Sequence, residues 1–325
     1  MNYAIIATLG PASAQAETWQ TMLDAGATAF RLNTSHLSLS ELDDWLEQLS
    51  PFLEGRAGPI PLVLDLQGSK WRLGGFEPFV LVEGQTIDLI YADAVEGDQA
   101  LPVPHADFFQ AAPGSSGEIA LNDARIRLGV VTAHPDRVEA RVLLGGPIAP
   151  RKGITFTAST YRAEQLSDKD RAIFERGRDL PTVRFAISYV KDAAEMARYR
   201  GLFGPGAALI AKLERGQAMS EAAGVAQYAD EVWVCRGDLG AELGLPAMAQ
   251  AVADFSDGVR ALPVPAIMAG QVLEHMVEHA TPTRSEVCYL YDALQRGYQG
   301  VVLSDEAAIG RYPVESCRVA GLFRS

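Results

Sequence analysis

The chain holds 325 residues, 48% hydrophobic and 21% charged, a balance that suits a soluble protein with a large core and one inserted domain. Its 28 Lys and Arg face 41 Asp and Glu, a formal net charge of −13 with no basic block, which argues against nucleic acid or an anionic membrane as partner. No apolar run approaches the roughly 20 residues of a membrane span, and the start Met1-Asn2-Tyr3-Ala4 has neither a basic n-region nor a cleavage signal, so a cytoplasmic location is expected.

In chain order, short apolar runs alternate with helical patterns. The runs are Ala4 to Leu9, Ala29 to Asn33, Pro61 to Asp65, Val183 to Ser188, Ala208 to Glu214, Glu231 to Arg236, Pro265 to Gly270 and Gly300 to Ser304. Between them, Leu42, Trp45, Leu46 and Leu49, and later Val287, Leu290, Tyr291 and Leu294, follow the spacing of one buried helix face. Thr283 with Glu286 reads as a capping box, and Ser167 with Asp170 as another helix start. Eight such units, with no GxGxxG after the first run, predict an α/β fold, a (β/α)8 TIM barrel.

One stretch departs from the alternation. From about Gly75 to Ser159 short strands with frequent turns appear, around Phe79 to Val82, Thr86 to Ile90, Ile119 to Leu121, Ile126 to Leu128 and Val138 to Val142. The expected organisation is a barrel over 1–74 and 160–325, with a small β-barrel domain, 75–159, inserted after strand 3 as a lid. Cys235, Cys288 and Cys317 lack metal-type spacing and lie in apolar segments, so all three are expected to be reduced packing residues.

The densest chemistry lies at two strand ends, Lys212-Leu213-Glu214 and Arg236-Gly237-Asp238. Glu214 and Asp238 offer hard oxygen ligands for Mg²⁺ or Mn²⁺, and Lys212 and Arg236 offer positive charge to an anionic substrate; the competing reading is two surface ion pairs.

Six motifs then carry a resemblance: Ile5 to Ser13, Phe30 to His36, Leu64 to Arg72, Arg236 to Gly240, Pro282 to Glu286 and Leu303 to Glu306. In order and across the chain, they resemble those of the glycolytic pyruvate kinase family. The resemblance implies a metal-dependent phosphotransferase converting phosphoenolpyruvate and ADP to pyruvate and ATP. It implies Glu214 and Asp238 as metal ligands, Lys212, Arg31 and Arg72 as catalytic cations, and main-chain NH groups near Arg236, Gly237 and Asp238 as a carboxylate cradle, with Ser188 also at the substrate. Pro11, His36, Lys152 and Asp123 resemble nucleotide contacts. Asn33, Ser35, Asp65 and the Leu66 carbonyl match the family's potassium site, where Lys70 marks the subgroup that does not require K⁺; its ammonium is expected to supply charge near Asp65.

The departures matter as well. Gly270 stands where the family has a threonine whose hydroxyl belongs to proton delivery, so weak or altered activity is expected. Asp305 and Ile309 alter the last motif, Leu37 replaces a glycine, and Asn122 and Ala124 alter the lid motif. The sequence ends at Ser325, where a regulatory domain would follow in typical members; no control through that domain, and a homodimer through barrel helices, are the expectations. Two further functions remain open: a metal-dependent enolate lyase, an aldolase or decarboxylase acting on a 2-oxo acid, and a non-catalytic ligand-binding protein.

Overall fold

The computed structural model describes residues 1–55, 58–114, 117–122, 124–157 and 166–324. The chain divides into two compact units, one of Met1–Gly68, Leu166–Arg236 and Ala251–Ser325, the other of Ser69–Gln165 with Gly237–Gln250.

The first unit is a closed barrel of eight parallel strands: β1 (Ala4–Leu9), β2 (Ala29–Asn33), β3 (Leu62–Leu66), β4 (Val183–Ile187), β5 (Leu209–Leu213), β6 (Glu231–Cys235), β7 (Ala266–Ala269) and β8 (Gly300–Leu303). Each strand pairs with its neighbours in sequence, and β1 against β8 closes the ring with Ala4 opposite Gly300. These strands read as unbroken apolar runs because helices cover the outer face and side chains fill the inner one. Ile6, Ala29, Val63, Ala186, Ile210, Trp233, Ile267 and Val302 form the inner packing. Small residues at 29 and 186 leave room for the Trp233 ring, whose indole N–H is satisfied by Glu231.

The helices follow the expected signals. Leu39–Glu54 buries Leu42, Leu46, Leu49 and Leu53, and starts on a capping box of Ser38 and Glu41. Arg284–Arg296 starts on the Thr283/Glu286 box, and Asp168–Gly177 on Ser167. Two readings are corrected. Tyr291 is exposed, its helix turning Leu290, Ala293 and Leu294 inward instead. Cys288, one position after Val287, is likewise exposed, whereas Cys235 and Cys317 are buried. Among the described residues no helix is long and apolar enough to cross a membrane.

The second unit has a six-stranded sheet, ordered Ile154–Phe156, Glu118–Leu121, Ile126–Ala133, Arg137–Leu144, Thr86–Ile90, Ala100–Pro102, and a two-stranded sheet of Gly146–Ile148 with Phe79–Leu81. Alternation along Arg137–Leu144 turns Val138, Ala140 and Val142 into an apolar core shared with Trp71, Phe108, Phe109 and Phe156. Phe108 stacks on Phe156 with centroids 4.6 Å apart, and Trp71 meets both edge-on.

Candidate active site

Strand periodicity builds the site. In β1 to β5 the inward residue two positions beyond the apolar layer of Ile6, Ala29, Val63, Ala186 and Ile210 is Thr8, Arg31, Asp65, Ser188 and Lys212. One polar layer therefore caps the barrel interior at the C-terminal ends of the strands, the face on which barrel enzymes carry their chemistry. On the β6 and β7 side the same level is apolar, with Cys235 and Ala269.

This layer is interlocked. Arg31 donates from Nε to Asp65 Oδ2 at 2.8 Å and from Nη1 to Thr8 Oγ1 at 2.9 Å. Lys212 Nζ donates to Asp65 Oδ2 at 3.1 Å and Ser188 Oγ at 2.9 Å, and pairs with Glu214 Oε1 at 2.9 Å. Ser188 directs its hydroxyl proton to Asp65 Oδ1 at 3.2 Å, and Glu214 Oε2 accepts the Tyr189 amide at 2.8 Å. The four charged residues are between 1% and 9% exposed, so two cations and two carboxylates neutralise one another out of water. Burial opposes the Lys212 ammonium, but Asp65 and then Glu214 outweigh it and raise its pKa. For Asp65, burial acts upward and is overcome by Lys212 and Arg31, which hold the carboxyl below its usual range. Lys212 is thus a fixed positive charge rather than a base.

The loops around this layer are strained. Tyr189, fully buried at the end of β4, has φ +60, and Gly270 and Gln271, after β7, have φ +80 and +54. Left-handed backbone at non-glycine residues costs about 1–3 kcal/mol each and gathers where the surrounding structure enforces it for function. Gly68 (φ +61) is trapped in the same way, since a Cβ there would meet the Ser188 carbonyl oxygen at 2.1 Å.

Other expected residues fall as follows. Pro11 opens the 3₁₀ turn Pro11–Ser13 after β1, and His36 closes the turn Thr34–His36 after β2; both are exposed at the same rim. The Asn33 side chain accepts the Ser35 amide at 3.3 Å, and Ser35 is buried. The positive charge beside Asp65 comes from Arg31 and Lys212, while Lys70, in the second unit, bonds the Asp238 carboxylate. The Asp238 pairing of Lys70 was not among the sequence expectations. The Lys70 stem packs where Gly153 has no side chain, as a Cβ there would lie 2.5 Å from Cε. The Arg236 guanidinium is likewise committed: Nε donates to the Gly270 carbonyl at 3.0 Å, Nη2 to that of Gln271 at 3.0 Å, and the group lies over the Tyr289 ring. Its side chain braces the strained β7 turn.

In the second unit, Arg72 donates its amide to His105 Nε2 at 3.1 Å and Nη1 to the Arg151 carbonyl at 2.9 Å. Its buried Nε has no hydrogen-bond partner among the described residues. Burial lowers the His105 pKa, consistent with a neutral ring that accepts at Nε2. Lys152 is half-buried in this unit, and Asp123 lies outside the described residues. Its neighbours Asn122 and Ala124 have φ +51 and +61, so Ala124 holds a conformation that favours glycine. Asp238 and Gly237 fall in the first turn of the helix Arg236–Leu243, where amides lack intrahelical acceptors. Sequence reasoning gave no site role to Thr8, Thr34, Asp170 and His105, whose roles depend on partners far along the chain; Thr8 and Thr34 lay inside the Ile5 to Ser13 and Phe30 to His36 motifs, and Asp170 in the Ser167 helix start. Among the described residues no cluster of three or more His, Cys, Asp or Glu side chains forms a ready metal cage.

Comparison with known proteins agrees with this arrangement. Residues 1–317 match the family described as pyruvate kinase, barrel domain. A pyruvate kinase of Methylorubrum extorquens is 34% identical over 96% of this chain and 66% of its own length. One of Agrobacterium vitis is 33% identical over 97% and 66%, and one of Aeropyrum pernix 32% over 96% and 68%. The chain thus spans about two thirds of the length of these relatives. A closed eight-stranded barrel with a charged layer at its C-terminal rim, matched along nearly its whole length, places the chain in the pyruvate kinase family.

Proposed function

We propose that the protein is a phosphotransferase of the pyruvate kinase type, moving a phosphoryl group between phosphoenolpyruvate and ADP. The observation that carries this reading is the buried Arg31–Asp65–Lys212–Glu214 layer. It holds Lys212 charged at a barrel rim, as a reaction that develops negative charge on phosphoryl and enolate oxygens requires. Lys212 and Arg31 keep Asp65 ionised, and Asp65 and Ser188 orient the ammonium. Arg72, with a buried Nε that has no hydrogen-bond partner among the described residues, is a second cation for the phosphate. The first-turn amides near Gly237 and Asp238 suit a carboxylate. Pro11 and His36 are proposed to meet the nucleotide, as are Lys152 and Asp123 of the second unit.

The donor chemistry fits Mg²⁺ or Mn²⁺. Glu214 in the barrel and Asp238 in the second unit are carboxylates, and Mg²⁺ is commonly held by one or two carboxylates with water and substrate phosphate oxygens completing the shell. Each carboxylate here carries an ammonium, from Lys212 and Lys70 respectively. When bound, the ion would supply Lewis-acid neutralisation of phosphate charge. Calorimetric Mg²⁺ or Mn²⁺ titration should show binding in the parent and none after Glu214→Ala with Asp238→Ala, and unchanged affinity would sink the assignment. The function itself is tested by pyruvate formation from phosphoenolpyruvate, ADP and metal, which is expected in the parent and lost in Lys212→Met.

A second reading is metal-dependent enolate chemistry on a 2-oxo acid. It is favoured by Gly270, which brings no hydroxyl to the rim and whose carbonyl is turned to Arg236. Binding of pyruvate or oxaloacetate by NMR, with no binding of ADP, would favour it over the kinase.

A further inference from the structure

Asp170 lies outside the charged layer, yet it is 1% exposed and its carboxylate is held by backbone amides and the Ser167 hydroxyl. Oδ1 accepts the Gln67 amide at 2.9 Å and Oδ2 the Gly68 amide at 3.1 Å, across more than a hundred residues of chain. Its own amide is capped by Ser167 Oγ at 3.0 Å. The preceding Lys169 donates to the Thr34 carbonyl at 2.7 Å, and Thr34 Oγ1 donates to the Asp65 carbonyl at 2.6 Å. One helix start therefore holds the turns that follow both β2 and β3. From the other side Gly68 is pressed against the Ser188 carbonyl, and Ser188 bonds Asp65 and Lys212. The barrel unit breaks at Gly68 and resumes at Leu166, so the clamp ties the exit and return of the chain on either side of Ser69–Gln165.

We propose that Asp170 is a positioning residue: by holding the Gln67 and Gly68 amides it sets the turn after β3, and through that turn the placement of Asp65 against Lys212. The burial that raises the Asp170 pKa is opposed by those same amides. A carboxylate accepting two buried backbone donors is one that an amide side chain replaces at only one oxygen.

The test is hydrogen–deuterium exchange resolved to single amides on the full chain. Asp170→Asn should speed exchange by about tenfold or more at whichever of Gln67 and Gly68 then faces the amide nitrogen, the weight of a lost hydrogen bond to a charged group, while the amides of β3 and β5 stay protected. Ser167→Ala removes only a hydroxyl that bonds Asp170 at its amide and its carboxyl and should raise exchange at those two amides by less than Asp170→Asn does. Unchanged exchange in Asp170→Asn, or an equal rise in Ser167→Ala, would overturn the proposal. The kinetic arm rests on the proposed function: with phosphoenolpyruvate and ADP, kcat should fall in Asp170→Asn with KM for phosphoenolpyruvate little changed. A changed KM with kcat intact would refute the link to Asp65. If the parent has no turnover, the kinase reading fails, and the exchange result still decides the clamp.

Discussion

Lys212→Met is the sharpest probe of the buried layer. The parent balances Arg31 and Lys212 against Asp65 and Glu214; the variant leaves two carboxylates facing one guanidinium in the same water-poor site. Breaking a buried pair in this way costs about 3–5 kcal/mol, or roughly 4–7 °C in Tm for a chain of this size. The pH dependence is more diagnostic than the size. In the parent, the depressed Asp65 contributes stability that is present above the ordinary carboxyl value of 3.8 and lost as pH falls through its lower folded value. The raised Lys212 contributes stability that is present below the ordinary 10.5 and lost as pH rises through its higher folded value. Between these limits the layer adds a constant amount. In the variant, one carboxylate has no counter-charge, its pKa rises, and the folded state binds more protons than the unfolded. Stability must then fall as pH rises, by about 1.4 kcal/mol for each tenfold by which that carboxyl holds its proton more tightly in the folded chain. Thermal unfolding of both proteins across the weakly acid to weakly alkaline range measures this, and under the proposed kinase reading pyruvate formation should drop by about 10²–10³. A variant as stable as the parent, with the same pH profile, would refute the reasoning.

Gly270→Thr restores the hydroxyl of the family motif but places a β-branched residue at φ +80 beside an equally left-handed Gln271, so it should cost about 1–3 kcal/mol in unfolding experiments. A gain in pyruvate formation is expected only if the turn and its Arg236 brace survive; a variant of parental stability would show that the left-handed turn is not needed. Because Lys70 provides a resident ammonium beside Asp238, turnover in Na⁺ and K⁺ buffers of equal ionic strength should agree within about threefold. Lys70→Glu should create a cation requirement, and strong K⁺ activation of the parent would count against the idea. Glu306, wholly buried, accepts the Leu273 amide at 3.2 Å and the Ser304 amide at 2.9 Å, and burial pushes its pKa up to about 7 from 4.5. Its folded form holds a proton that the unfolded form releases, so stability should decline by about 3 kcal/mol as pH rises from near 4.5 through 7. Glu306→Gln should flatten that decline in melts at several pH values, and a decline that persists would assign it to another group.

Much of this architecture is written locally. Parallel strands covered on both faces must be apolar along their length, so β3 and β5 were legible as runs, and a charge at the end of such a run has nowhere to point but the rim. The capping residues Ser167 and Thr283 signal helix starts because their bonds span three positions. For the same reason Lys212 and Glu214 stood out as candidates, and Asp65 did so through the family resemblance. Their partners did not. Lys212 meets Asp65 across 147 residues, Asp170 meets Gly68 across 102, and Lys70 meets Asp238 across 168; a residue's identity states what it can donate or accept, and only the packed chain selects among the acceptors. Backbone strain at Tyr189 and Gln271 was equally invisible, because neither residue type favours φ above zero. Gly270 read as a missing hydroxyl in the sequence. In the fold it is also a left-handed hinge whose carbonyl Arg236 holds, a role set by closure of the barrel between β6 and β7.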